Sequence, residues 1–268
     1  MMNRVIHFDS GLPRCGTTML TALLNQHPDI YAAPQSVLPV LLQASFDILY
    51  EIPDQIYRDP ICSDNVLSNI MFNYYQDIKE PIVIDKSRLW PDNIPKIKKY
   101  INKKPKFICC VRNPLDILAS FITLLENSNG LNYIDANLKY KNLDINNTNR
   151  CRLLMSEEGT VYRSMKILQK AFQDGYRDLF MLIDYDSLVS NTNDKLNELL
   201  YFLGLETFTF DLDNINVRFK EDSFKSFGLK DMHKVRHSVC KTSRDYKSVL
   251  EKSIIEEYKD LDFWRGEL

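Results

Sequence analysis

Short apolar runs alternate along this chain with longer stretches in which apolar residues recur every three or four positions. "RVIHF" reads as a first strand, and "TTMLTALLNQ" as a helix whose Met19, Leu20, Leu23 and Leu24 share one face. "HPDIYA" carries the chain out of that helix. "SVLPVLLQASFDILYEI" and "NVLSNIMFNYYQDI" read as helices, the first interrupted near its start by Pro39. "PIVID" is a second strand, and "KFICCV" a third whose unbroken apolar run implies burial on both faces, as in a parallel sheet. "NPLDILASFITLLEN" is a strongly signalled helix: Asn113 suits its cap, Pro114 its first turn, and Asp116 the positive end of its dipole. Residues 128–150 are polar and Asn-rich, too long for a plain connection, and are expected to form a lid or a mobile excursion. Beyond them follow the helix "GTVYRSMKILQKAFQDG", the strand "DLFMLIDY", the helix "TNDKLNELLYFLG" ending at Gly204, and a last helix "VLEKSIIEEYKDL". Strand–helix alternation without a repeat or a boundary predicts one α/β domain over residues 1–268. A central parallel sheet flanked by helices would place ligands at the carboxyl ends of its strands.

Composition narrows the class without changing that picture. A chain of 268 residues, 44% hydrophobic and 26% charged, is ordinary for a globular protein with a substantial core. A net charge of -2 argues against a general nucleic-acid binder, yet leaves room for a local basic pocket. The six cysteines form no CxxC pair and no metal-ligand spacing with the four histidines, which fits reduced thiols in a reducing compartment. The first residues hold no apolar stretch long enough for a signal peptide, and no run approaches the roughly 18 residues of a membrane span. The expectation is a cytoplasmic, soluble protein.

Two segments carry chemistry. "SGLPRCGTT" stands between the first strand and the first helix. Two glycines there let successive backbone N–H groups converge at the positive end of a helix dipole, and Thr17 and Thr18 add hydroxyls. It resembles a nucleotide P-loop, but Thr17 stands where the lysine that reaches β- and γ-phosphates would be, and the nearest cation is Arg14. A smaller anion at a single 5′-position fits better than ATP or GTP. In "FICCVRNPLDILASFI", Arg112 ends a strand and Ser120 shares a helix face with Asp116. A strand-end arginine, always charged and fork-shaped, together with that serine makes a second candidate anion clamp.

Together these segments resemble the sulfotransferases that use 3′-phosphoadenosine 5′-phosphosulfate (PAPS). "PRCGTT" is similar to their 5′-phosphosulfate loop, and "VRNPLDILASF" to their 3′-phosphate motif. "PRCGTTMLTALLNQHPDI" resembles the subgroup that includes the tyrosylprotein sulfotransferases and many bacterial and phage-type members. "IDYDSLVSN…LNELLYFLGLE" is similar to a later strand, tyrosine and helix of the family. The resemblance runs in order across most of the chain except residues 128–150. It implies a P-loop-like architecture and PAPS as sulfuryl donor, with 3′,5′-adenosine bisphosphate (PAP) as product and no required metal. The partner would be a hydroxyl-bearing acceptor. It also explains the missing lysine, because activated sulfate has no γ-phosphate.

By resemblance Pro13, Arg14, Cys15, Gly16, Thr17 and Thr18 would bind the donor's 5′ end, Cys15 through its backbone N–H, while Arg112 and Ser120 would bind its 3′-phosphate. Lys86, just beyond the strand "PIVID", corresponds to a lysine that faces the transferring group, so Arg14 and Lys86 are the candidate catalytic residues. Asp85, next to it, points to the other side of the strand. The subgroup's catalytic glutamate has no counterpart: "YAAPQSVLP" places Pro34, Gln35 and Ser36 there, which puts tyrosine-peptide sulfation in doubt and leaves the base unassigned. Asp47 and Glu51 read as surface charges, and His27 as a helix terminator. The basic tail "HKVRHSVCKTSRD" resembles the family's closing segment, in which Lys234 and Arg244 would cover the nucleotide. Tyr185, at a strand end, is placed near the cofactor. The competing readings are a P-loop kinase, disfavoured by Thr17, and a nucleotide-binding relative that has lost catalysis.

Overall fold

The structure, a computed structural model, describes residues 4–51, 59–128, 130–218, 225, 227–240 and 245–267. Five parallel strands form one sheet in the order β2-β3-β1-β4-β5, where β1 is Val5–Asp9, β2 Ile30–Gln35, β3 Ile82–Lys86, β4 Phe107–Val111 and β5 Phe180–Asp184. The chain builds outward from β1 to β2, returns to insert β3, then crosses β1 to lay down β4 and β5. The strand order therefore reverses about β1, and the crevice at the carboxyl ends of such a sheet is the place for a ligand.

Burial follows the apolar runs. Every residue of β4 is buried, as its unbroken hydrophobic run requires in a sheet covered on both faces. Phe8, Phe107 and Phe180 are paired in register across β1, β4 and β5. Their rings stack, with centroids 5.1 and 4.9 Å apart, and Trp90 packs on Phe8 at 4.8 Å.

Helices α1 (Thr17–Leu24), α2 (Leu38–Phe46), α3 (Pro60–Tyr74), α4 (Ile94–Tyr100) and α5 (Pro114–Glu126) connect the first four strands and leave the fourth. Asn113 caps α5 by accepting the Leu115 N–H at 2.9 Å, and Pro114 occupies its first turn. Residues 47–51 continue α2 as a wider π-helical turn.

The Asn-rich stretch 128–150 holds two helices, α6 (Tyr133–Tyr140) and α7 (Asn147–Leu154). Two of its asparagines are helix caps: Asn132 accepts from the Asp135 N–H and Asn146 from the Asn149 N–H. Arg150 then grips the buried Asp135 with two 2.8 Å hydrogen bonds, tying α7 to α6. Helices α8 (Thr160–Gln173), α9 (Tyr185–Ser190) and α10 (Thr192–Leu203) follow, the last closed by Gly204 at φ 84°. Helix α11 (Lys252–Tyr258) and a buried Trp264 end the described chain. No described helix is long and apolar enough to cross a membrane. Cys15, Cys109, Cys110 and Cys151 are buried, Cys62 is exposed, and all six cysteines are free.

Candidate active site

The loop of residues 10–16 leaves β1 and turns into α1 over the middle of the sheet. Its conformation needs its residue types. Gly16 lies at φ 81°, and an added Cβ would stand 3.1 Å from the Tyr185 ring, so the loop is both left-handed and close-packed there. Gly11 donates its N–H to Asp9 Oδ1 at 3.1 Å, fixing the exit from the strand. Arg14 also has a positive φ, 61°. Its Nε donates to Ser120 Oγ at 3.2 Å, and its Nη1 donates to the Met232 carbonyl.

Arg112, at the end of β4, reaches the same place. It is 4% exposed, its Nη1 donates to the Arg14 carbonyl at 3.2 Å, and its guanidinium lies over the Tyr185 ring at 4.3 Å. Its Nε is buried with no hydrogen-bond partner among the described residues. Burial, followed by the neighbouring Arg112 charge, pushes the Arg14 guanidinium below its usual pKa. A buried and a half-buried cation in mutual repulsion, the buried one with an orphaned donor, form a site electrostatically prepared for an anion.

Around them lies a cavity of about 870 Å³. The structure places Pro13, Arg14, Gly16, Thr17, Thr18, Lys86, Arg112, Ser120, Tyr185 and Lys234 in its lining, although they come from distant parts of the chain. Cys15 does not line it. Its buried thiol donates to the Pro13 carbonyl, and burial pushes that thiol well above its usual pKa, so it is neutral. Lys234 stands 3.4 Å from Asp231. The segment 230–240 walls the cavity and is tied down where Ile215 and Val239 donate their N–H groups to the His237 and Leu212 carbonyls. Arg244 lies outside the described residues.

Three further residues of the site escaped the sequence reading. Arg88 lines the cavity and donates to Thr160 Oγ1 at 3.0 Å; burial lowers its pKa. Its signal was there, a second cation two positions past Lys86. Asp9 lines the floor, 3% exposed, and burial lifts its carboxyl to about 6, with Lys86 and the Gly11 N–H pulling the other way. Gln35 lines the rim and is paired in register with Lys86. Asp85 faces elsewhere: it is fully buried and accepts hydrogen bonds from the Tyr75 hydroxyl and from Trp90 Nε1. His27 was expected to terminate α1, but that helix ends at Leu24 with Asn25 at its C-cap; His27 lies in the turn beyond, its Nδ1 accepting the Asp29 N–H at 3.1 Å.

The glycine loop between β1 and α1 and a buried arginine at the end of the neighbouring strand therefore converge on one basic cavity. The family described as "Sulfotransferase domain" matches residues 8–261. This chain belongs to the sulfotransferase domain family. Its fold agrees with solved sulfotransferases, although the sequences have diverged widely. A mouse sulfotransferase, SULT7A1, solved in complex with PAP, is 14% identical with a TM-score of 0.55, and the match covers 97% of this chain and 84% of that one. The sulfotransferase domain of the Synechococcus PCC 7002 olefin synthase is 17% identical with a TM-score of 0.51, covering 84% of each chain. The sulfotransferase domain of the curacin biosynthetic pathway is 16% identical with a TM-score of 0.50, covering 96% of this chain and 91% of that one. No curated protein matches the sequence.

Proposed function

We propose that this sulfotransferase takes its sulfuryl group from PAPS and passes it by in-line displacement to an acceptor hydroxyl. The observation that carries the reading is Arg112: a buried guanidinium with an orphaned Nε, sharing the cavity lining with Ser120 and joined to the glycine loop through the Arg14 carbonyl. A nucleotide with only a 5′-phosphoryl chain leaves that clamp unused, whereas a 3′-phosphate engages it. The PAP complex of the mouse protein supports the same donor class.

In this reading the donor supplies a sulfuryl group already activated by its link to the 5′-phosphate. The N–H groups of residues 15–18 hold that phosphate at the start of α1. Arg112 and Ser120 hold the 3′-phosphate, with Tyr185 fixing the Arg112 plane. Lys86 neutralises the sulfuryl oxygens as charge shifts between them, in a site where fixed charges act more strongly than in water. Arg14, lodged between Ser120 and the loop, links the two clamps and serves the transferring group from the loop side. The segment carrying Lys234 covers the nucleotide. Positioning and charge stabilisation are the protein's main contributions, and the chemistry needs no metal.

The experiment compares thermal stabilisation by PAP without metal against ATP with Mg²⁺. Stabilisation by PAP alone is expected; stabilisation by ATP alone would instead indicate a kinase. Turnover of labelled PAPS against an acceptor panel then separates an enzyme from a binding protein.

A further inference from the structure

We infer that Asp9 is a positioning residue for Lys86: its carboxylate pairs with the lysine's ammonium and aims it at the cavity from the neighbouring strand. The inference rests on the reading of Lys86 as the group that meets the sulfuryl oxygens. Its basis is one row of residues across the carboxyl edge of the sheet. Gln35, Lys86 and Asp9 are register partners on β2, β3 and β1, so the lysine stands between a neutral amide and a carboxylate. Register partners on adjacent strands project to the same side of a sheet, and all three line the cavity.

Asp9 is an unusual residue for its place. It ends the central strand at 3% exposure, where an apolar side chain would carry no desolvation penalty. Its Oδ1 takes the Gly11 N–H at 3.1 Å, which leaves its other oxygen for a cation. The charged and titratable groups facing it are few. Lys86 comes from β3 and favours the carboxylate. Asp85 on the same strand, and the Cys109 and Cys110 thiols of β4, also feel its charge. Both thiols are pushed up by burial and stay neutral, leaving Lys86 as the counter-charge. Asp9 is lifted to about 6 by burial, so the pair is complete at neutral pH and loses its anion as the pH falls through that value. The same carboxylate anchors the loop entrance through Gly11, which couples the aim of Lys86 to the loop that holds the 5′-phosphate.

The test begins without turnover. In nucleotide-free protein labelled with ¹³C-aspartate, the Asp9 carboxyl, assigned by its disappearance in Asp9→Glu, is titrated by NMR. Lys86→Met is expected to raise its midpoint by about one unit or more; an unchanged midpoint overturns the pairing. Next, single-turnover rates at saturating donor are compared in a double-mutant cycle. Asp9→Asn is expected to slow transfer tenfold or more while PAP affinity stays within threefold. In the Lys86→Met background the same change should alter the rate less than twofold. Equal losses in both backgrounds mean that Asp9 does not act through Lys86, and the inference fails. Should Asp9→Asn not fold, the pH–rate profiles decide: an acid limb near pH 6 in the native protein must vanish in Lys86→Met. A protein that binds no PAP refutes the sulfuryl-transfer reading, a result separable from the titration, which needs no ligand.

Discussion

Arg112→Ala isolates the feature on which the cofactor reading depends. Among the described residues Arg112 makes one hydrogen bond, to the Arg14 carbonyl, and lies over Tyr185, while its charge repels Arg14. Removing it costs a cation–π contact of about 0.5–2 kcal/mol and some packing, but relieves that repulsion, so the fold should survive. Binding is another matter. Its free Nε and one further N–H offer two charge-assisted hydrogen bonds to a 3′-phosphate, each about 1.5–3 kcal/mol. Together they amount to about 3–6 kcal/mol, or about 10²–10⁴-fold in affinity. The loss should be confined to ligands that carry the 3′-phosphate. Calorimetry with PAP and 5′-AMP on both proteins is the assay. The native protein should prefer PAP strongly, and Arg112→Ala should bring the two affinities together while leaving that of 5′-AMP within about threefold. If the variant weakens both nucleotides equally, Arg112 shapes the loop rather than the ligand. If it binds PAP normally, the second clamp is wrong, and with it most of the case for this donor.

Lys86→Ala is expected to act on the other axis, lowering single-turnover transfer by about 10²–10³-fold with little change in PAP affinity; near-normal transfer at saturating donor would remove Lys86 from the mechanism. Arg150→Ala strands the buried Asp135 with Asn132 as its remaining side-chain partner, and should cost about 3 kcal/mol in urea unfolding, the lower end for a broken buried pair. Asp85, lifted by burial from 3.8 to about 6, binds its proton more tightly in the folded state than in the unfolded one. Its contribution to stability is therefore fully present below its unfolded pKa and is lost as pH rises toward 6. The stability advantage of the native protein over Asp85→Asn should accordingly shrink by roughly 2–3 kcal/mol between pH 4 and 7, measured by urea unfolding across that range; an advantage that grows with pH would reverse the sign of the argument.

The strands that the apolar pattern announces are β1, β3, β4 and β5, and each lies within a residue or two of its expected place, because a buried strand must be apolar wherever its neighbours are. The glycine loop and the cavity residues Arg112 and Ser120 were legible for a similar local reason: a strand end, a turn and a helix start are set by a dozen consecutive residues. Strand β2 was not announced. It is an edge strand of six residues with Pro34 inside it and a register irregularity between Ala32 and Gln35, so it lacks the run that marks a central strand. Helices α6 and α7 were hidden by their own chemistry, since asparagine caps and an Asp135–Arg150 pair look in sequence like a polar connection.

The chain by itself thus determined the fold class, the glycine loop and a third of the residues that line the cavity. Tertiary structure alone decided how those residues meet. Arg14 belongs to the glycine loop, yet its guanidinium reaches Ser120 and Met232, partners 106 and 218 positions away. The row Gln35–Lys86–Asp9 exists because the chain inserts β3 between β2 and β1. Which strands become neighbours, and in what register, is settled by burying the apolar faces of all five strands at once. No local segment carries that information, so the electrostatics of the site follow from the order of the sheet.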